Sequence, residues 1–199
     1  MTMLVSGETA SRGGGGDSPS SFPISSREMA TWLLMTGIAM LFAGFSSAYI
    51  VLRGVPTWER IQFPPLVWGN VLVLIASSAT LELSRHAVKS DKAAALRQWL
   101  IVTGVLGVGF VLGQIELWRQ MTAAGAGLTA TLHSSFFYVF SGVHAVHILG
   151  GLIGLAVVIV KTFQGRLSSA NFEPLRVWAK YWHFMGGIWI YLLLLVFFA

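Results

Sequence analysis

Apolar positions along this chain fall into five long runs rather than into alternation. Met29–Leu52 holds no charged residue in 24 positions. Ile61–Leu81 lies between Arg60 and Glu82, with Pro64 and Pro65 near its start, and Gln98–Ile115 lies between Arg97 and Glu116. A fourth run extends from Leu132 to Val160, just before Lys161, and the last is Tyr181–Ala199. About 20 apolar residues cross a hydrocarbon core as a helix, whereas barrel strands are about 10 residues long and alternate. The runs predict an all-α fold, a polytopic membrane bundle with five transmembrane helices at about 29–52, 64–83, 97–118, 132–160 and 179–198. The fourth, about 43 Å long at 1.5 Å per residue, must tilt or project beyond the bilayer.

Composition agrees. Of 199 residues, 55% are hydrophobic and only 11% charged, far from the roughly one quarter charged of a soluble domain. Residues 1–27 differ from the rest: Gly13–Gly16 and Ser18-Pro19-Ser20-Ser21 bring no long apolar stretch, so this segment reads as a flexible cytoplasmic tail ahead of a 28–199 transmembrane domain. Without cysteine there is no disulfide, thiolate metal site or Cys nucleophile.

The net charge of +5 is spread over loops, which points to a membrane protein and not to a nucleic-acid partner. With the N-terminus inside, the inner segments hold Arg12, Arg27, Arg85, Lys89, Lys92, Arg97, Lys161, Arg166, Arg176 and Lys180, and the outer ones only Arg53, Arg60 and Arg119. That bias predicts a cytoplasmic N-terminus and a periplasmic C-terminus. Trp32, Trp58, Trp68, Trp99, Trp118, Trp178 and Trp182 fall near the predicted span ends, as interfacial aromatics do. Small residues at helical spacing, Gly109 with Gly113, Gly150 with Gly154, and Ala39 with Ala43 and Ser47, predict faces of close helix contact, and Gly104 with Gly107 marks another face of the third helix.

Candidate chemistry is sparse. His144 and His147 share one face of the fourth helix. A metal or haem site is one reading of them; an interhelical hydrogen-bond pair is favoured. His147 lies roughly 20 Å in from Lys161, while His183 is three residues past Lys180, so the two differ in depth and do not share one metal. His86 and His133 read as interface residues at loop edges. No carboxylate lies at the middle of a span, where a proton relay or cation carrier needs one. Glu82 and Glu116 stand at helix ends, solvated or pairing with a nearby Arg. Asn70 and Gln114 are expected to hydrogen-bond to neighbouring helices.

Five strings carry a resemblance. Ser135-Phe136-Phe137-Tyr138 with Ser141-Gly142-Val143-His144-Ala145-Val146-His147 and Gly150-Gly151 resembles the FFYxxTGxHGxHxxGG signature of subunit III of the haem–copper respiratory oxidases. Tyr181-Trp182-His183-Phe184 with Trp189 resembles that family's YWHFxDxxW string. Met40-Leu41-Phe42-Ala43-Gly44 with Ser47-Ala48-Tyr49, then Asn70 with Ser77, Ser78 and Thr80, then Gly107, Phe110, Gln114 and Trp118-Arg119, resemble its other helices in the same order. Two family acids are missing: Ile38 and Gly186 stand in their places, so no role resting on those acids is expected.

The resemblance implies an accessory subunit of a proton-pumping terminal oxidase in a bacterial inner membrane. It implies no haem or copper in this chain, with both in partner subunits, and no catalysis by the chain alone. It implies packing beside the haem–copper catalytic subunit I and other oxidase subunits, support of proton uptake and catalytic lifetime, and bound phospholipid. A basic residue closing the HxxH helix binds a lipid phosphate in that family, and Lys161 occupies the place. The equivalent subunit of a quinol oxidase or nitric-oxide reductase, and a haem b membrane anchor, are the alternatives.

Overall fold

The structure, a computed structural model, describes residues 26–56 and 58–198; the expected tail, up to residue 25, and Ala199 lie outside the described residues. Five helices follow one another: α1 (Ser26–Leu52), α2 (Leu66–Lys89), α3 (Ala93–Ala123), α4 (Leu132–Phe163) and α5 (Glu173–Phe198). All five are long and apolar enough to cross a membrane. The helices outrun the apolar runs. α2 continues through Glu82 and Arg85 to Lys89, and α5 starts at Glu173 instead of 179. The charged residues at these ends pair on the helix surface, as Arg85–Glu82 (2.7 Å) and Arg119–Glu116 (2.9 Å) do three residues apart, so the backbone stays helical beyond the apolar stretch.

Helix ends are set locally. Thr131 opens α4 with a capping box: its Oγ1 accepts the Ser134 N–H at 3.1 Å, and Ser134 Oγ accepts the Thr131 N–H at 3.0 Å. α3 and α4 close on left-handed glycines, Gly125 (φ +81°) and Gly165 (φ +68°), followed by backbone bonds from Ala126 to Met121 and from Arg166 to Lys161. After α2 the left-handed position is held by Asp91 (φ +51°), a residue type that tolerates it.

The Asp91 carboxylate also ties the α2–α3 turn to the α4–α5 loop. It accepts the Ser169 backbone N–H at 2.9 Å and the Ser169 hydroxyl at 2.8 Å. The backbone bond first, then the hydroxyl bond, hold its carboxyl below the ordinary 3.8. A folded pKa below the unfolded one makes this contribution full above about pH 4 and lost as pH falls through the folded value. Acidification from about pH 5 to pH 3 is therefore expected to lower the thermal midpoint more in the parent chain than in Asp91→Asn, which keeps the backbone geometry. Equal losses in the two proteins would show that the contact adds nothing to stability.

Packing places α2 against α3, α3 against α4, α4 against α5, and α5 back against α2, closing a four-helix ring. α1 leans on α5 and on the edge of α4. It buries a single stripe, Met35, Ile38, Phe42, Ser46 and Tyr49, and leaves Ala39, Ala43 and Ser47 exposed. The predicted small-residue contact on α1 thus faces away from the bundle. Eight described basic residues, Arg85, Lys89, Lys92, Arg97, Lys161, Arg166, Arg176 and Lys180, cluster at the end where α1 begins, called here the basic end.

Only one glycine of each predicted pair works inside. A β-carbon on Gly113 would collide with the Asn70 amide, and one on Gly154 with the Trp178 ring, whereas Gly109 and Gly150 face open space. One GxxxG spacing per helix matches a face only when both members point at the same neighbour. Here the closer spacing Gly151 and Gly154, with Gly107 on α3, makes the cradle for the α5 aromatics.

Candidate functional site

Lipid offers helices no hydrophobic drive to associate, so close packing and polar ties must hold them. The described residues supply ties at every main interface. Thr80 and Thr103 hydroxyls join α2 to α3 at 2.9 Å. Trp118 Nε1–H donates to Ser141 Oγ at 2.9 Å, and Tyr138 O–H to the Trp118 carbonyl at 3.1 Å, joining α3 to α4. Tyr181 O–H donates to the His147 carbonyl at 2.9 Å between α5 and α4.

Trp182 lies at the centre of this arrangement. It is 3% exposed, donates Nε1–H to Ser77 Oγ on α2 at 3.1 Å, and lies within 2.9 Å of where a β-carbon on Gly107 would be. It does not face lipid as an interfacial aromatic would: packed on Gly107 and Gly151 and bonded to Ser77, Trp182 is inside the ring of helices. Trp32 and Trp68, about half exposed, lie on the outer surface of the bundle.

Next along α5, His183 Nε2–H donates to Glu82 Oε1 at 2.7 Å, and Arg85 binds the same oxygen at 2.7 Å. Glu28 on α1 accepts from Lys180 at 2.8 Å and Arg176 at 3.2 Å on α5. Sequence reading missed both clusters as bridges between helices. The signal for the first was present: Glu82 and His183 are ionisable groups at matching depth on helices running in opposite directions.

The remaining expected site residues take other roles. His144 and His147 do not form an interhelical hydrogen-bond pair. His144, 1% exposed, stacks on Trp189 with centroids 4.9 Å apart and meets the edges of Phe42 and Phe110. His147 donates Nδ1–H to the Val143 carbonyl of its own helix at 2.8 Å. Neither ring nitrogen of His144 has a hydrogen-bond partner among the described residues, so its contacts there are aromatic. Asn70 fits against Gly113, and its Nδ2 and both amide atoms of Gln114 have no hydrogen-bond partner among the described residues.

His133 is also corrected. It is 2% exposed instead of interfacial, and its Nδ1 accepts the Ile61 N–H at 3.0 Å within a cluster of Tyr49, Trp58 and Phe63. Gly186 is buried against Leu74 and Ser78 of α2, and Ile38 faces the core. Among the described residues, no group of three or more His, Asp or Glu side chains is placed to hold a metal ion.

Lys161 is half-buried on the last turn of α4. It lines a cavity of about 310 Å³ with Ala30 and Thr31 of α1 and Pro174, Val177 and Trp178 of α5. No described carboxylate pairs with it. A cation and a tryptophan thus border an apolar-walled recess at the basic end.

The model of the family described as "Cytochrome c oxidase subunit III" matches residues 53–199. The chain belongs to this family. A "Probable cytochrome c oxidase subunit 3" of Mycobacterium tuberculosis is 34% identical over 179 residues, covering 85% of this chain and 86% of the relative. Proteins named "Cytochrome c oxidase subunit 3" from Synechocystis (30% identical, 83% of this chain, 72% of the relative) and from Bacillus sp. strain PS3 (26% identical, 83% and 82%) are similar as well. Membership in the subunit III family makes this chain a multi-pass membrane component of the respiratory chain that associates with other oxidase subunits. It also explains the five strings physically. Tyr49, Ser77, Thr80, Trp118, Tyr138, Ser141, His147, Tyr181, Trp182 and His183 all belong to them, and all are partners in the hydrogen bonds between helices. In this chain these ten members of the strings join helix to helix, while among the described residues Asn70 Nδ2, Gln114 and His144 have no hydrogen-bond partner.

Proposed function

We propose that this chain is the non-redox accessory subunit III of a proton-pumping haem–copper terminal oxidase, cytochrome c oxidase, in a bacterial inner membrane. Its N-terminus is cytoplasmic and its C-terminus periplasmic, following the excess of basic residues at the basic end. It packs beside the haem–copper catalytic subunit I and supports that subunit's proton uptake and lifetime.

The observation that carries the reading is where the signature side chains are used. Among the described residues they bind helix to helix, as Trp182 to Ser77 and Tyr138 to Trp118 do, which suits a chain that serves a partner's chemistry. Haem and copper belong to the partners. Lys161 supports a lipid role: a cation beside Trp178, over a recess open between α1, α4 and α5, presents one charge to one phosphate at the interface.

The test is oxygen consumption over many turnovers by the oxidase with and without this chain, at equal catalytic-subunit concentration. The depleted enzyme is expected to keep its haems and begin with substantial activity. It then loses activity progressively and takes up protons more slowly. Identical progress curves and uptake rates would reduce the role to assembly. The subunits that copurify with the chain distinguish a cytochrome c oxidase from a quinol oxidase or nitric-oxide reductase.

A further inference from the structure

A second recess lies on the other side of α4. Ile159 and Phe163 flank Lys161 by two residues each, which turns them about 200° around the helix, toward α3. There, Ile101, Gly104, Val105, Val108, Gly109 and Leu112 of α3 form with Ile159 an apolar groove of about 510 Å³. Its floor is open because of two glycines. A β-carbon on Gly109 would touch nothing within 4 Å, and one on Gly104 would make only ordinary contact with Ile159.

A charge stands one turn beyond the end of the groove. Arg97, one turn before Ile101 on α3, holds its guanidinium 5.4 Å from the centroid of the Phe163 ring, which is 53% exposed. Among the described residues Arg97 has no carboxylate partner, and its buried Nε has no hydrogen-bond acceptor. An arginine fixed over an aromatic ring at a membrane interface presents its fork of donors to a planar or tetrahedral oxyanion. From Ile101 to Leu112 the groove climbs 11 residues, about 16 Å at 1.5 Å per residue, which matches the roughly 15 Å half-thickness of a hydrocarbon core, and Arg97 stands one turn beyond it. The groove can therefore take one acyl chain along its length, beginning at a cation of headgroup depth.

We propose that Arg97, Phe163 and the Gly104–Gly109 groove between α3 and α4 form a binding site for one acidic glycerophospholipid, its phosphate on Arg97 and one acyl chain along the groove. The site is separate from that of Lys161 and does not depend on the accessory role above. Charge selects the occupant: a transmembrane helix of a partner fits the apolar groove but leaves the Arg97 donors unmet.

The test titrates the delipidated, purified complex that contains this chain with phosphatidylglycerol or phosphatidylcholine and counts bound molecules by native mass spectrometry. Arg97→Gln is expected to bind one phosphatidylglycerol about five- to ten-fold more weakly, with phosphatidylcholine unchanged. Arg97→Lys keeps most of the preference. Gly109→Leu, whose added atoms enter only the groove, weakens binding of both lipids at this site. Lys161→Gln removes a different molecule and leaves this one. If Arg97→Gln fails to fold, Arg97→Lys and Gly109→Leu carry the test alone. Unchanged phosphatidylglycerol binding in Arg97→Gln overturns the proposal. So does a Gly109→Leu complex that keeps its lipid and sheds another subunit, since the groove then belongs to a protein partner.

Discussion

Gly107→Leu is expected to abolish the folded bundle, while Gly109→Leu, two residues along the same helix, leaves its thermal midpoint within a degree or two. A β-carbon at Gly107 would come within 2.8 Å of the Leu152 side chain and 2.9 Å of the Trp182 ring. Trp182 is buried among four helices and hydrogen-bonded to Ser77, so it has nowhere to go. Making room for a leucine means separating α3 from α4 and α5, and close packing is most of what holds helices together in lipid. Overpacking alone costs about 1–3 kcal/mol, and more where the backbone must move. The measurement is the fraction of chain that elutes as a single detergent-stable species, followed by its melting. Comparable yields of the two variants would mean that the Gly107–Trp182 contact does not govern assembly.

Trp182→Ala is expected to cost about 2–4 kcal/mol, chiefly through the cavity left among α2, α3, α4 and α5. In a bilayer the separated helix would place this ring in lipid instead of water, so the loss comes from contacts and not from transfer to water. Ser77→Ala isolates the hydrogen bond. It is expected to cost about 0.6 kcal/mol, the average for interhelical bonds in membranes. Unfolding in mixed detergent measures both. The double variant Gly107→Leu with Trp182→Ala is expected to recover part of the folded yield, because the leucine then fills the vacated space. No recovery, with Ser77→Ala costing as much as Trp182→Ala, would mean that the hydrogen bond holds Trp182 in place more strongly than its packing does.

These two predictions show where sequence reading reached and where it stopped. Five spans were legible because 18 or more apolar residues in a row have few other uses. Helix ends were not. Glu82, Arg85 and Glu173 look like loop residues in a hydropathy pattern, yet each continues or opens a helix at the interface. Glycine spacing told which residues share a face but not which neighbour that face meets. Gly113 meets Asn70 while Gly109 meets nothing, because the crossing of α2 over α3 is fixed by side chains far along the chain. The histidines misled for a related reason. Residue type announces hydrogen bonding, but the surroundings of His144 are Phe42, Phe110 and Trp189, so its ring packs as an aromatic. Lys161 was singled out through the family string, and the recess beside Trp178 became visible only once α1 and α5 were placed.

The packing order of the helices has a consequence for biogenesis. α1 leaves the ribosome first, yet its principal neighbour is α5, the last to be made. While α2 and α3, joined by a three-residue turn, can pair as soon as α3 is made, α1 must wait in the bilayer through the synthesis of more than 120 further residues. Its Glu28 carboxylate meanwhile lacks both Lys180 and Arg176. Until α5 inserts, the nascent chain therefore carries a first helix whose stripe from Met35 to Tyr49 has no principal neighbour, and the bundle closes only when α5 arrives.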